Sequence, residues 1–412
     1  MTTLTKTEPA AALGAASATR VPALVWIILL ASFWIKCAAY FTVPFLAVFL
    51  TRQTDLTPAM IGLVIGAQPL ASLVGGFVGG HLSDRWGRQR IMQASLAGSA
   101  LTYLGFFFVA KHLAGEPSAW FWFALLNLLV GVCSSFFWPV TQALIADMVS
   151  EAQRPVIYRY RYVITNVGGG LGPLLGVTLG IAAAATAFLV TALSYAAFLA
   201  VFFALTMGRD VRTGASGSQR SLRASLAVLG QDRALRWLLL SAILFGVGYA
   251  QIESNLSQLL YHAFPDGLQF YSWIITLNAV GVVALQPVAN RIEKRLSAPT
   301  MMRLGAAVFC IGCLAMAAFP ADKVSFLIGI AVITLGEILV VPTLSVVIDE
   351  LAPSGMRGSY FGAATLRQLG PTLGPVLGGL VISGVGATAL FGFMALVGAL
   401  SAACLQFSGR RS

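Results

Sequence analysis

Long apolar runs recur along almost the whole chain, and they constrain the fold more than any other sequence feature. Residues 21–50 carry one charged side chain, Lys36, and a membrane-spanning helix needs about 20 mostly apolar residues. With 58% hydrophobic and 10% charged residues, the chain falls outside ordinary soluble proteins, which carry roughly 25% charged residues, and outside disordered chains. We predict twelve spans: 22–50, 58–80, 90–110, 119–146, 160–182, 184–207, 235–262, 268–290, 299–319, 323–349, 357–383 and 385–407.

The positive charges orient these spans. If both termini lie inside, 21 of the 26 Lys and Arg residues fall in inside segments, against three in outside segments, Arg52, Lys111 and Lys323. Cytoplasmic loops of membrane proteins carry such an excess of positive charge. We therefore predict an even number of spans with both termini cytoplasmic, and we read the net charge of +11 as a membrane signal rather than a nucleic-acid signal.

One polar segment interrupts the apolar pattern near the middle of the chain. It is rich in Ser, Gly and Arg and separates spans six and seven, so it is typical of a linker. The predicted organisation is a tail at 1–20, a six-helix bundle at 21–207, a cytoplasmic linker at 208–233, a second six-helix bundle at 234–407 and a tail at 408–412.

The two halves repeat each other. Three landmarks recur in the same order: Asp84-Arg85 as Lys294-Arg295, the group Pro139, Asp147 and Arg154 as Pro342, Glu350 and Arg357, and the segment 172–176 (GPLLG) as 374–378 (GPVLG). Internal repeats of this kind build many transporters, with the substrate site between the repeats. The fold class predicted is therefore an all-α membrane protein of two pseudo-symmetric six-helix bundles.

The loop after span two, GGHLSDRWGRQR at 79–90, gives the first specific resemblance. It resembles the signature loop of the major facilitator superfamily, whose members have twelve helices. In that family the loop is a conformational latch, and the resemblance implies that Asp84 lies at span eleven near Arg357 and that Arg88 pairs with Asp147. The latch residues implied are Gly80, Asp84, Arg85, Gly87, Arg88, Asp147, Arg154 and Arg357.

A stripe of glycines in span five gives the second specific resemblance. Glycines spaced four apart share one helical face and allow helices to approach closely, while Pro173 permits a kink. The stripe resembles the gxxxGPxxGG motif of drug-exporting antiporters in the same superfamily, although Asn127 in span four replaces the Arg that many proton-coupled antiporters carry. The helix-packing motif comprises Gly168, Gly172, Pro173, Gly176, Gly374, Pro375 and Gly378.

Four ionisable residues lie inside predicted spans: Lys36, Glu253, Glu337 and Arg367. Intramembrane charges are costly and are functional candidates by default. Glu337 and Arg367 fall at similar depths of roughly 15–18 Å from the inner edge. Two hypotheses stay open: the charges form static ion pairs, with Lys36 and Arg367 as partners, or Glu253 or Glu337 takes up a proton in exchange for substrate.

Polar and aromatic faces mark a candidate cavity on spans one, four, seven and ten, which line the cavity in this superfamily. The cavity candidates are Tyr40, Asn127, Ser134, Trp138, Gln142, Tyr249, Gln251, Asn255 and Ser257.

The sequence thus favours a secondary transporter that works by alternating access, most simply proton-coupled efflux of hydrophobic or amphipathic small molecules, as in multidrug resistance. A carrier dedicated to one metabolite, siderophore or lipid is the alternative, and a polytopic receptor or enzyme is the second. We expect no catalytic residue, no metal and no cofactor beyond the proton gradient, because no nucleophile motif, Walker loop or metal-binding cluster is present. The expected partners are a small-molecule substrate, protons and lipid, without nucleic acid. The expected state is a monomer in a bacterial inner membrane.

Overall fold

A computed structural model of the protein describes residues 21–150, 153–207, 222–353 and 356–408. Within these ranges the side chains at 74, 76–85, 155, 222–224 and 357 are not described. The latch residues Gly80, Asp84, Arg85 and Arg357 therefore lie outside the described side chains. The described ranges contain helices and connecting turns and no β-strand.

The described residues of the first half form seven α-helices: α1 (Ala23–Ala39), α2 (Leu46–Gln53), α3 (Pro58–Trp86), α4 (Arg88–His112), α5 (Ala119–Met148), α6 (Arg154–Thr178) and α7 (Ala185–Thr206). A short helix, α8 (Leu222–Gln231), lies in the predicted linker. The second half contains α9 (Arg233–Glu253), α10 (Asn255–Ala263), α11 (Gly267–Glu293), α12 (Ala298–Ala318), α13 (Lys323–Leu351), α14 (Arg357–Ala363), α15 (Leu369–Gly384) and α16 (Ala389–Cys404). Two 3₁₀ segments, Val43–Phe45 and Ala364–Gln368, join α1 to α2 and α14 to α15.

Each predicted span coincides with one helix or one interrupted helix of the described residues. Eight of these stretches are long and apolar enough to cross a membrane, and the count of twelve crossings stays a prediction. Large apolar side chains such as Leu30, Leu101 and Leu193 are 60–69% exposed. That exposure suits an outer surface in contact with lipid rather than water.

The same helix pairs pack together in the two halves, as the internal repeat predicts. Helix α1 packs on α6 as α9 packs on α15, α4 packs on α7 as α12 packs on α16, and α3 packs on α5 as α11 packs on α13. The two pseudo-symmetric bundles are thus confirmed. Between the bundles, α3 packs on α15 and α6 packs on α11.

The glycine stripes make the close contacts within each bundle. A Cβ atom at Gly168 or Gly172 would lie 2.7 or 2.5 Å from a backbone carbonyl oxygen of α1, and the equivalent Gly370 and Gly374 face backbone carbonyls of α9 in the same way. Gly176 differs, because its nearest neighbour would be 3.6 Å away. Close packing therefore depends on Gly172 and much less on Gly176.

The bundles meet tightly at one end. We call this end the far side; it carries the loops 54–57, 113–118, 179–184, 264–266, 319–322 and 385–388. Gly62 and Gly379 approach the backbone of Pro375 and Pro58 so closely that a Cβ atom would collide. On the other flank, the Thr276 hydroxyl donates a 2.7 Å hydrogen bond to the Gly170 carbonyl. Both inter-bundle contacts hold the far side closed.

At the opposite end, the structure contains the ion pair that the signature loop implies. Arg88 Nη1 lies 2.5 Å from Asp147 Oδ2 and also donates to the Ala143 carbonyl at 2.7 Å. Gly87, directly before α4, has φ +87°, a conformation that glycine adopts at no steric cost. The pair ties the start of α4 to the end of α5 within the first bundle.

We predict that Gly172→Ala destabilises the protein by about 1–3 kcal/mol, because its new methyl group overpacks the contact with α1. The measurement is the thermal unfolding temperature of the purified protein. The matched control is Gly176→Ala, in the same helix and with room for a Cβ atom, which we expect to unfold near the wild-type temperature. Equal effects of the two variants would contradict the packing account.

Candidate functional site

Two helices are interrupted where the bundles face each other. Helix α1 ends at Ala39 and the chain resumes as a helix with Val43–Phe45, while α9 ends at Glu253 and α10 begins at Asn255. Ser254, between them, has φ −118° and ψ −82°, so the regular backbone hydrogen bonding stops there. The Tyr271 hydroxyl donates to the Ile252 carbonyl at 3.0 Å, which satisfies that carbonyl at the interruption. Interrupted helices of this kind build the substrate sites of many transporters.

A cavity of about 250 Å³ lies beside both interruptions. Side chains of both bundles line it: Lys36, Tyr40, Thr165, Asn166 and Gly169 from the first, and Tyr249, Ile252, Glu253, Ile275, Asn278, Ala279 and Glu337 from the second. Three of the four intramembrane charges predicted from the sequence thus share one cavity, together with two of the predicted tyrosines.

Glu253 interacts with the opposite bundle. Its Oε1 accepts a 2.7 Å hydrogen bond from the Tyr40 hydroxyl. The Lys36 ammonium lies 4.0 Å from the centroid of the Tyr40 ring and interacts electrostatically with Glu253. Within the described residues the two charges make no ion pair of 4.0 Å or less. Lys36, Tyr40 and Glu253 therefore form a cluster in which the carboxylate has a nearby counter-charge.

Glu337 has neutral hydrogen-bonding neighbours. The Asn278 amide donates to Glu337 Oε2 at 2.8 Å and to the Thr334 hydroxyl at 2.9 Å. The Tyr249 hydroxyl also faces Glu337. No Lys or Arg of the described part of the chain forms an ion pair with this carboxyl. The cavity therefore holds two carboxyl groups in different surroundings, one beside a cation and one among neutral groups.

Arg367 does not join the cluster, and within the described residues it forms no ion pair with Glu337, so the static-pair hypothesis gains no support from these two residues. Arg367 lies in the 3₁₀ segment Ala364–Gln368 and is exposed. A 3₁₀ helix has three residues per turn instead of 3.6, so the segment changes the face on which Arg367 lies. Counting depth along an ideal helix could not reveal that change.

Asn127 packs helices together and does not line the cavity. It is 4% exposed, and its amide donates to the Val64 carbonyl at 2.8 Å and to the Ile65 carbonyl at 3.1 Å. Pro69 has no N–H group, so the Ile65 carbonyl loses its usual partner four residues on. Asn127 supplies that missing donor.

Gln251 and Asn255 were likewise predicted to line the cavity and instead bind α15. Gln251 donates to the Gly374 carbonyl at 2.7 Å, and Asn255 donates to the Pro375 carbonyl at 3.0 Å. Both residues are fully buried. Gly378 leaves the space for them, because a Cβ atom there would collide with both amides. The motif glycine and the two amides are one packing arrangement.

The other cavity predictions also find structural partners. The hydroxyls of Ser134 and Ser257 donate to carbonyls of their own chain segments, Gly131 and Ser254. Both Trp138 and Gln142 contact Arg161: its guanidinium donates to the Trp138 carbonyl at 3.1 Å and to Gln142 Oε1 at 3.3 Å. We counted Arg161 among the inside positive charges, so we did not predict the contacts of Arg161 with Trp138 and Gln142 from the sequence.

The sequence prediction missed the polar residues that α6 and α11 contribute. These are Thr165 and Asn166 on α6 and Asn278 on α11. A signal existed, because an isolated Asn inside an otherwise apolar span needs a polar partner. The prediction instead considered charged residues and the polar faces of spans one, four, seven and ten. Helices α6 and α11 correspond to spans five and eight, so their polar residues were not considered.

With this geometry established, comparison with known proteins assigns the family. The family model described as Major Facilitator Superfamily matches residues 28–368. The chain belongs to the major facilitator superfamily. The resemblance of the signature loop is thereby confirmed, and the protein is a multi-pass integral membrane protein of a transporter family.

Relatives and solved structures agree with this assignment. The chain is 31% identical over 368 residues to an uncharacterized MFS-type transporter, YqjV, of Bacillus subtilis, covering 88% of this chain and 87% of the relative. It is 25% identical to a Na(+), Li(+), K(+)/H(+) antiporter of Planococcus maritimus, covering 89% of each. Its fold matches the crystal structure of the nucleoside transporter NupG with a TM-score of 0.76 at 15% identity, covering 93% of this chain and 97% of that one.

We predict that Asn127→Ala lowers the free energy of unfolding by about 0.6 kcal/mol and at most about 1.7 kcal/mol, the mean and maximum that double-mutant cycles give for hydrogen bonds between membrane helices. The measurement is thermal unfolding of the purified protein. Ser134→Ala is the matched control on the same helix, since its hydroxyl donates to the Gly131 carbonyl within α5. If the Asn127→Ala variant keeps wild-type stability but loses substrate binding, Asn127 contributes to the substrate cavity and the packing account is wrong.

Proposed function

We propose that this protein is a proton-coupled exporter of small organic molecules that works by alternating access. The single observation that carries the proposal is the pair of differently placed carboxyl groups, Glu253 and Glu337, in one cavity between the bundles. A coupled transporter needs a group that holds either a proton or the substrate, and it needs a link from that group to the movement of the bundles.

Glu337 suits the first role. Its neighbours Asn278, Thr334 and Tyr249 are neutral, and a partly buried setting without a counter-charge disfavours a charged carboxylate. A proton neutralises the group in the absence of substrate. A cationic group on the substrate does the same, so the two compete, and one leaves when the other binds.

Glu253 suits the second role. Its hydrogen bond from Tyr40 is a direct polar contact between the two bundles. A hydrogen bond to a charged carboxylate is stronger than one to a neutral acid. Protonation of Glu253, or substrate insertion beside it, weakens the contact and favours separation of the bundles at this level.

Alternating access then requires the far-side contacts to open. In the present conformation Gly62, Gly379 and the bond from Thr276 to Gly170 hold α3 against α15 and α6 against α11. These contacts close the far side through backbone proximity, so rocking of one bundle against the other separates them together. We expect both termini to be cytoplasmic, so the far side would be the face of the membrane opposite the cytoplasm. The membrane that we expect is a bacterial inner membrane.

Direction and cargo are inferred from the glycine motif, the relatives and the chemistry of the cavity. The glycine motif favours export, and the Planococcus relative is named as an antiporter. The tyrosine rings and the two carboxyls against one ammonium favour a hydrophobic or amphipathic molecule that carries a positive charge. Such a cargo is of the multidrug type.

A carrier dedicated to one polar metabolite is the second candidate. The small volume of about 250 Å³ and its several hydrogen-bonding side chains favour a single compact solute. Transport of a panel of dyes, drugs and metabolites into proteoliposomes with an imposed pH gradient distinguishes the two. Movement of several unrelated cations supports the multidrug type, and movement of one metabolite alone supports the dedicated carrier.

We predict that Glu337→Gln reduces pH-gradient-driven accumulation to the level of empty liposomes, because the amide cannot bind a proton. Exchange of substrate against substrate, which needs no net proton movement, is expected to persist. Glu253→Gln is the matched comparison and is expected to slow both modes, because it alters the contact between bundles. Unchanged proton-driven transport in both variants would disprove the coupling.

Tyr40→Phe tests the contact between bundles. The change removes a hydrogen bond to a charged group, worth about 1.5–3 kcal/mol, so the ratio of far-side-open to far-side-closed molecules is expected to rise about tenfold or more. The measurement is the electron-resonance distance between spin labels at Glu116→Cys and Ala321→Cys, on loops of the two bundles, after replacement of the native cysteines. Tyr195→Phe is the control, because the Tyr195 ring stacks on Tyr103 within the first bundle. An unchanged distance distribution in Tyr40→Phe contradicts the assignment.

A further inference from the structure

A second cavity, of about 470 Å³, lies on the far side of the molecule. Among the described residues, it shares no lining residue with the central cavity. Both bundles form its walls: Leu56, Pro58 and Ile61 from the first, and Leu259, Ile382 and Phe391 from the second. It therefore lies in the contact that must open during alternating access.

The walls of this far-side cavity are mostly apolar, and two of their polar side chains are already hydrogen-bonded to other protein groups. Two of its polar wall residues, Thr51 and Gln258, hydrogen-bond to each other at 3.1 Å. Gln258 also contacts Asn255 at 3.4 Å. Their polar groups are thus occupied by protein partners, and His262 is exposed. Such a surface suits hydrocarbon with a polar end and suits a charged solute poorly.

The helices that wall the cavity also present apolar side chains outward. Met60 and Leu63, on either side of Ile61 in α3, are 38% and 49% exposed, and Leu380, near Ile382 in α15, is 54% exposed. In a membrane protein such exposed surface lies against lipid chains. We therefore expect lipid to cover the surface that flanks the cavity.

We propose that the far-side cavity binds one acyl chain of a bilayer lipid and that this chain stabilises the far-side-closed conformation. An apolar cavity of about 150 Å³ stays dry and binds benzene, and the present cavity is about three times larger. Hydrocarbon that fills it makes dispersion contacts with the apolar walls. The chain would contact both bundles at once.

Binding and conformation are linked because opening the far side separates the two walls. A ligand that binds one conformation better shifts the population toward it, and the effect is reciprocal. Acyl-chain binding therefore opposes opening, and lipid composition would regulate the transport cycle from a site separate from the substrate cavity.

Photo-crosslinking tests the binding. The full-length protein is placed in nanodiscs that contain phosphatidylglycerol with a diazirine on its acyl chain, and labelled peptides are mapped by mass spectrometry. Labels are expected on the segments around Ile61, Leu259 and Phe391 at higher yield than on the exposed surface of α7. A uniform yield over all lipid-facing helices overturns the proposal. Labelling of these segments by a diazirine fatty acid but not by the lipid also overturns it, since the occupant would then be a free amphiphile.

Cavity-filling variants make the test specific. Ala263→Phe and, separately, Ala387→Phe introduce a ring at the lining and are expected to lower crosslinking there about tenfold through steric exclusion. The matched control is Leu193→Phe on the exposed surface of α7, which should leave the yield unchanged. Two independent positions are used so that misfolding of one variant does not decide the result, and unchanged yields in both folded variants overturn the proposal.

The spin-label pair at Glu116→Cys and Ala321→Cys tests the conformational effect. Adding lipid to delipidated protein is expected to raise the far-side-closed fraction several-fold, and each filling variant should abolish that dependence. A lipid response that is identical in wild type and both variants overturns the regulatory role. Neither readout uses transport, so failure here is distinguishable from failure of the proposed proton coupling.

Discussion

The structure depends on the need to satisfy polar groups inside a molecule that lipid surrounds. A backbone carbonyl or a charge that faces hydrocarbon has no water to bind, so the protein must supply its partner. Asn127 donates to the carbonyl freed by Pro69, and the Tyr271 hydroxyl donates to the Ile252 carbonyl beside the interruption at Ser254. The same requirement brings Glu253 to Tyr40 and Glu337 to Asn278.

This requirement separates two kinds of buried polar residue. Gln251 and Asn255 are fully buried, and their amides bind backbone carbonyls of a neighbouring helix, so they hold helices together. Glu253 and Glu337 instead border open volume, so their protonation and contacts can change without unpacking the bundle. A functional role follows from adjacent space as well as from polarity.

The two cavities divide the interface between the bundles by chemistry. The central one combines carboxyl, ammonium and phenol groups, and the far-side one is walled mainly by apolar side chains. Both are bounded by the two bundles, so the relative movement that exposes one must also alter the other. The close glycine contacts of α3 with α15 let the backbones meet without large side chains between them, which suits a contact that forms and breaks in each cycle.

The fold class, the repeat and the family could be predicted from the sequence, because apolar length, positive-charge bias and a twelve-residue loop motif are local properties of the chain. Lys36, Tyr40, Tyr249, Glu253 and Glu337 could be identified in the same way, since ionisable or aromatic residues in apolar spans are visible one residue at a time. Long-range packing decided instead that Arg367 stays apart, that Asn127 and Gln251 pack helices, and that Asn166 and Asn278 join the cavity. Those outcomes depend on helix rotation, on the interruptions at Ala39 and Glu253 and on the 3₁₀ segment at 364–368, which are fixed by contacts between residues far apart in sequence.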